Sequence, residues 1–120
     1  MAVCSLSTVD GSYIGYATGH FTAAAPYSQA SSAIINGDGT ARAEFYYSIG
    51  GVPLSSVQNA NYTVTDAADG SGNCKLAFSA LLLGILPVSF EAFTDALGKK
   101  MYTVTTTPGV TFYGYLERNP

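Results

Sequence analysis

A chain of 120 residues amounts to one domain, taken here as residues 1–120, with enough length for a single core. Charged residues make up only 11% and the net charge is -3 with five Lys or Arg, so no nucleic-acid partner is expected. The nine Tyr and six Phe set the chain apart from disordered sequences.

The N-terminal Met1-Ala2-Val3 has neither a basic start nor an apolar run, so no signal peptide is visible. The Ser/Thr/Gly/Tyr-rich texture is nevertheless that of exported bacterial β-proteins. A secreted or periplasmic protein whose leader has been removed is expected, with a cytoplasmic start as the alternative. Ser12 to Ala23 reads as the first strand, with Gly15 and Gly19 marking bends or close backbone approaches. Pro26-Tyr27-Ser28 reads as a turn, and Ser31 to Ile35 as a short second strand. Asn36-Gly37-Asp38-Gly39 carries the clearest turn chemistry in the chain. Thr40 to Ile49 alternates: Ala41, Ala43, Phe45, Tyr47 and Ile49 on one face, Arg42, Glu44, Tyr46 and Ser48 on the other.

Gly50-Gly51 closes that hairpin, and Val52 to Thr65 forms a fourth strand with a break near Asn59. Asp66 to Asn73 is a polar turn, Cys74 to Leu83 a strand, and Gly84 to Pro87 a loop. Val88 to Leu97 has two readings. Ser89 as cap, Phe90, Phe93 and Leu97 on one side and Gly98 as terminator fit a short helix. The rhythm of its neighbours fits a strand, because Lys99 to Thr107 needs a partner. Pro108-Gly109 turns the chain into a last strand, Val110 to Arg118. The longest apolar stretch, Leu76 to Phe90, is interrupted by Gly84, Pro87 and serines, so no membrane span is expected. Eight such segments make a meander, which closes into an up-and-down barrel or packs as a sandwich. Closure removes edge strands that a charge-poor chain can ill defend.

Cys4 and Cys74 with a lone His20 are too few for a structural zinc site, and no metal is expected. In an oxidising compartment the two cysteines can form a disulfide; otherwise they stay buried thiols. Phosphate-loop, dinucleotide, EF-hand and Gly-x-Ser-x-Gly patterns are absent, so no cofactor is expected. Asn61-Tyr62-Thr63 is a glycosylation sequon, relevant only to eukaryotic secretion.

Cys4-Ser5-Leu6-Ser7-Thr8-Val9-Asp10-Gly11-Ser12-Tyr13, Tyr62-Thr63-Val64-Thr65 with Cys74-Lys75-Leu76, and the closing Gly98-Lys99, Pro108-Gly109 and Gly114 together resemble a family of small exported bacterial calycin-like (lipocalin-like) β-barrels. The resemblance implies an all-β, eight-stranded antiparallel up-and-down barrel, a Cys4–Cys74 disulfide, and a strand over Ser89 to Ala96. Asn73-Cys74-Lys75 departs from the family's Asp-Cys-Thr, and the Gly-x-Trp of true lipocalins is absent, so lipocalin ligand chemistry does not carry over.

Such a barrel functions in its lumen. A binding module for a small hydrophobic or aromatic molecule would draw on Tyr13, Tyr16, Phe45, Tyr47, Phe78, Phe90, Tyr102 and Tyr113, around a cavity expected to hold a few hundred Å³. The alternative is a cofactor-free isomerase, cyclase or decarboxylase, with Tyr13, Tyr16, Arg42, Glu44 and Glu91 as candidate catalytic groups and Glu44 and Glu91 as an acid/base couple if both point inward. The bland readings are a surface pair for Arg42 and Glu44, a surface carboxylate for Glu91 and a rim histidine for His20. A third possibility is a solid-cored interaction protein, with Leu81 to Leu86 as a homo-oligomer surface.

Overall fold

The computed structural model describes residues 4–22, 25–82 and 86–120. They form a closed barrel of eight antiparallel strands in up-and-down order, each hydrogen-bonded to its sequence neighbours and the first to the last. The strands are β1 (Gly11–Thr22), β2 (Ala25–Ile35), β3 (Thr40–Ile49), β4 (Val52–Asp66), β5 (Cys74–Leu82), β6 (Leu86–Thr94), β7 (Lys100–Thr105) and β8 (Thr111–Arg118).

β3 has the limits its alternation predicts. β2 is longer than expected: Pro26, Tyr27 and Ser28 belong to the strand, paired with His20, Gly19 and Thr18. Proline is tolerated there because it lies near the strand's first residue. β4 runs unbroken through Asn59. For residues 88–97 the strand reading holds as far as Thr94, and Asp95 begins the turn to β7. The local helix signal loses because β6 fills both sides of a ladder, with β5 and β7.

Alternation sorts the side chains. Odd positions of β1, β2, β3 and β7 and even positions of β4, β5, β6 and β8 face the interior. The seam that closes the barrel runs between β1 and β8 and depends on close backbone approach. A Cβ on Gly15 would lie 2.0 Å from the Tyr115 carbonyl oxygen, and one on Gly114 would lie 2.1 Å from that of Tyr16. No side chain fits at either position.

A 3-10 turn that sequence reading missed, Leu6–Val9, plugs one end of the barrel. Val9 is fully buried there with Tyr13, Ile35, Leu76 and Met101. The Tyr13 hydroxyl donates to the carbonyls of Val9 (2.9 Å) and Gly98 (2.8 Å). The Tyr62 hydroxyl donates to those of Asn36 and Leu6. From β8, the Arg118 guanidinium reaches the carbonyls of Thr8, Asp10 and Leu97 at 3.3, 3.1 and 2.5 Å. A disulfide between Cys4 and Cys74 ties the segment to β5. At the other end, Tyr27, Tyr47, Val88 and Phe112 form a second cluster, in which Tyr27 stacks on Phe112 at 4.2 Å.

Candidate functional site

Between the plug and the aromatic cluster lies a cavity of about 100 Å³. Its wall is mostly methyl groups and rings: Ala33, Ala41 and Ala43 from β2 and β3, Ala60 and Ala80 from β4 and β5, with Phe45, Phe78, Phe90 and Leu116. The rows across the sheet explain the gap. Ala33 pairs with Ala43, Ala41 with Ala60, and Ala60 with Ala80, so small side chains fall side by side on adjacent strands. Methyl groups cannot reach the barrel axis, and volume is left over. It is smaller than the few hundred Å³ expected, because Tyr27, Tyr47, Phe90 and Phe112 fill one end and the plug the other.

The inward-facing polar lining groups are Gln29, Ser31, Gln58 and Thr103. The Tyr27 hydroxyl donates to Gln29 Oε1, and the Gln29 amide nitrogen has no partner among the described residues. Gln58 Nε2 donates to Ser56 Oγ at 3.1 Å, and Ser56 Oγ also lies 3.3 Å from the Tyr47 hydroxyl. Gln29 thus presents donors to the cavity and Gln58 an acceptor. Burial, reinforced by neighbouring Tyr47, pushes the Tyr27 hydroxyl well above its ordinary value of 10. Burial also raises Tyr13, despite the opposing Arg118. Both stay neutral throughout the physiological range.

Among the described residues, no Asp, Glu, Lys or Arg side chain points into this part of the lumen. Asp66 and Arg118 face inward only at the plug, where Asp66 accepts from the Cys4 backbone N–H at 2.9 Å.

The sequence candidates divide accordingly. Phe45, Phe78 and Phe90 line the cavity. Tyr47 is buried in the far cluster and Tyr13 in the plug, where both close an end of the lumen. Tyr16, Tyr102 and Tyr113 are corrected to the outer wall, 57%, 61% and 61% exposed, because they fall on the other parity of their strands. Arg42 and Glu44 also project outward; Tyr16 and Arg42 border the cavity only along the wall their strands build. Glu91 lies outside as well, 3.8 Å from Lys75 in a half-exposed pair worth little. Glu44 and Glu91 stand three strands apart on the outer surface, so they form no acid/base couple. Exposed His20 is on the outer face too. Of the apolar run Leu81 to Leu86, residues 83–85 lie outside the described residues, and Leu81 is exposed.

Sequence reading missed Gln29 and Gln58. Once the second strand is started at Ala25, alternation puts Gln29 on the Tyr27 face; read as a turn, the same residues carry no facing information. No family model, curated protein or solved structure matches the chain.

Proposed function

We propose that the protein binds a small, neutral, mostly apolar molecule in the barrel lumen. The observation that carries this reading is the alanine-walled cavity with two carboxamides and, among the described residues, no charged side chain facing inward. A carboxylate or ammonium ligand would be desolvated there without a counter-charge, at prohibitive cost. A neutral ring with a carbonyl or hydroxyl could turn that group to the Gln29 amide and its apolar body to Phe78 and Phe90. The resemblance to exported calycin-like barrels supports the reading, and the disulfide is consistent with an extracellular or periplasmic protein.

The volume limits the ligand. An engineered apolar cavity of about 150 Å³ takes up benzene, so a single ring is the upper scale here. Tiny ligands gain at most about 1.5 kcal/mol per heavy atom, so benzene gains at most about 9 kcal/mol and its dissociation constant lies no lower than roughly 0.2 μM. Benzene and phenol titrated against labelled protein should shift the NMR signals of the Ala33, Ala43 and Ala60 methyls. Ala43→Phe, which fills the lumen, should abolish those shifts. Absence of shifts at saturating phenol, or shifts that persist in Ala43→Phe, would sink the proposal.

A further inference from the structure

The outer wall carries a second constellation, unrelated to the lumen. Two adjacent rows of outward side chains cross the strands. In the first, Tyr46 on β3 is followed by Ala30, Tyr16, Tyr115, Tyr102 and Phe93 on β2, β1, β8, β7 and β6. Four of these rings therefore stand on four consecutive strands. Tyr16 and Tyr115 have centroids 6.3 Å apart, and Tyr115 and Tyr102 5.3 Å apart. In the second row, Ser48, Ser28 and Thr18 lead to Tyr113. This row opens into a groove of about 500 Å³, bordered by those hydroxyls together with His20 and Thr111. The rows run on to Glu91 and Lys75, which pair at 3.8 Å; Lys100 and Glu117 are cross-strand partners beside Tyr102 and Tyr115, and Arg42 and Glu44 share the outer face of β3 with Tyr46.

Soluble proteins normally keep such rings inside. We propose that this face is a binding site for a neutral polysaccharide chain, lying across the strands with its sugar rings on the tyrosines and its hydroxyls in the groove. Three observations select that occupant. The rings repeat once per strand, with centroids 6.3 and 5.3 Å apart, which suits a polymer of rings. The flanking groups are hydroxyls and an imidazole, each able to donate or accept, which matches a polyhydroxylated partner. The charges around the rows come in opposite-sign neighbours, so the face has no net charge to draw an anionic chain, and a closed barrel gives an extended peptide no strand edge to join. The rings are tilted by 49° and 48° to their neighbours, so they share no plane. An isolated, twisting chain therefore fits better than a crystalline polysaccharide face.

Affinity electrophoresis of the full chain tests this, in native gels containing hydroxyethyl cellulose, xylan, glucomannan, laminarin or soluble starch, with polygalacturonate as the anionic control. At least one neutral gel should retard the protein. Tyr16→Ala and Tyr113→Ala should each weaken the retardation at least about tenfold, while Tyr16→Phe should keep it. These side chains are exposed, so the variants should keep their melting temperature, and Tyr113→Ala, which lies clear of the cavity wall, should keep the phenol response in the lumen. The lumen-filling Ala43→Phe should still be retarded, which separates this site from the first. Retardation by none of the neutral gels, by polygalacturonate alone, or equally in wild type and both alanine variants would overturn the proposal. So would a dimer in sedimentation velocity that Tyr16→Ala dissociates without any retardation, which would make the strip a contact between copies.

Discussion

At the scale of single residues, the tyrosines divide by environment. Tyr27 is 2% exposed and stacked on Phe112, and its hydroxyl holds its proton more strongly than in the unfolded chain. The unfolded hydroxyl ionises near 10, so this contribution to stability is complete below that pH. It is lost as pH rises from 10 toward the higher folded value, at up to about 1.4 kcal/mol per pH unit. Melting temperatures recorded from pH 8 to 11.5 should therefore fall above pH 10, and Tyr27→Phe should flatten that fall. Identical profiles for variant and wild type would refute the assignment. Arg118 is the second informative residue. Its guanidinium joins the last strand to the plug and to the β6–β7 turn, through three backbone carbonyls. Arg118→Ala should cost about 2 kcal/mol in urea denaturation, since it leaves carbonyls without donors. Neither role was legible from local sequence: Arg118 and Thr8 are 110 positions apart, and only closure of the barrel brings them together.

At the scale of elements, the β1–β8 ladder has no tolerance for bulk. Gly114→Ala should destabilise by about 3 kcal/mol, because the new methyl would meet the Tyr16 carbonyl and the Ala17 side chain rather than open space. Gly109→Ala, whose Cβ would meet nothing within 4 Å, is the comparison in the same thermal melt, though its positive φ of 84° makes it a strained turn residue too. The larger loss should be at Gly114. How far the elements could be read from sequence follows from where alternation is clean. β3 alternates without interruption and its limits were readable to the residue. β2 was cut short because Pro26 looks like a turn wherever tertiary pairing is unknown. β6 carries competing signals, and only its pairing with β5 and β7 decides between them. The alanine wall of the cavity was not legible, because Ala33, Ala43 and Ala60 lie on three strands that only the register brings together. Nor was the direction of Tyr16, Tyr102 and Tyr113, because each sits in a strand with rings or small residues on both faces.

At the scale of the whole molecule, the wall is a sheet without edges and its two ends are closed by different means. One end has an aromatic cluster, the other a 3-10 turn fastened by hydroxyls, a guanidinium and a disulfide. Cys4 and Cys74 are 70 positions apart, and cross-linking a loop of that length constrains the unfolded chain by about 4 kcal/mol. The Cys4→Ser/Cys74→Ser double variant should show that loss in urea titrations with an unchanged barrel signature in far-UV circular dichroism. Equal stability of reduced and oxidised protein would contradict it.

The pairing of first and last strands also bears on how the chain is made. During synthesis β1 emerges first, and one side of it finds β2 at once. Its other side has no partner until Thr111–Arg118 has left the ribosome. For most of translation the nascent sheet thus carries two bare edges, in a chain with few charges to repel others. A holding factor that covers those edges would protect it during that interval.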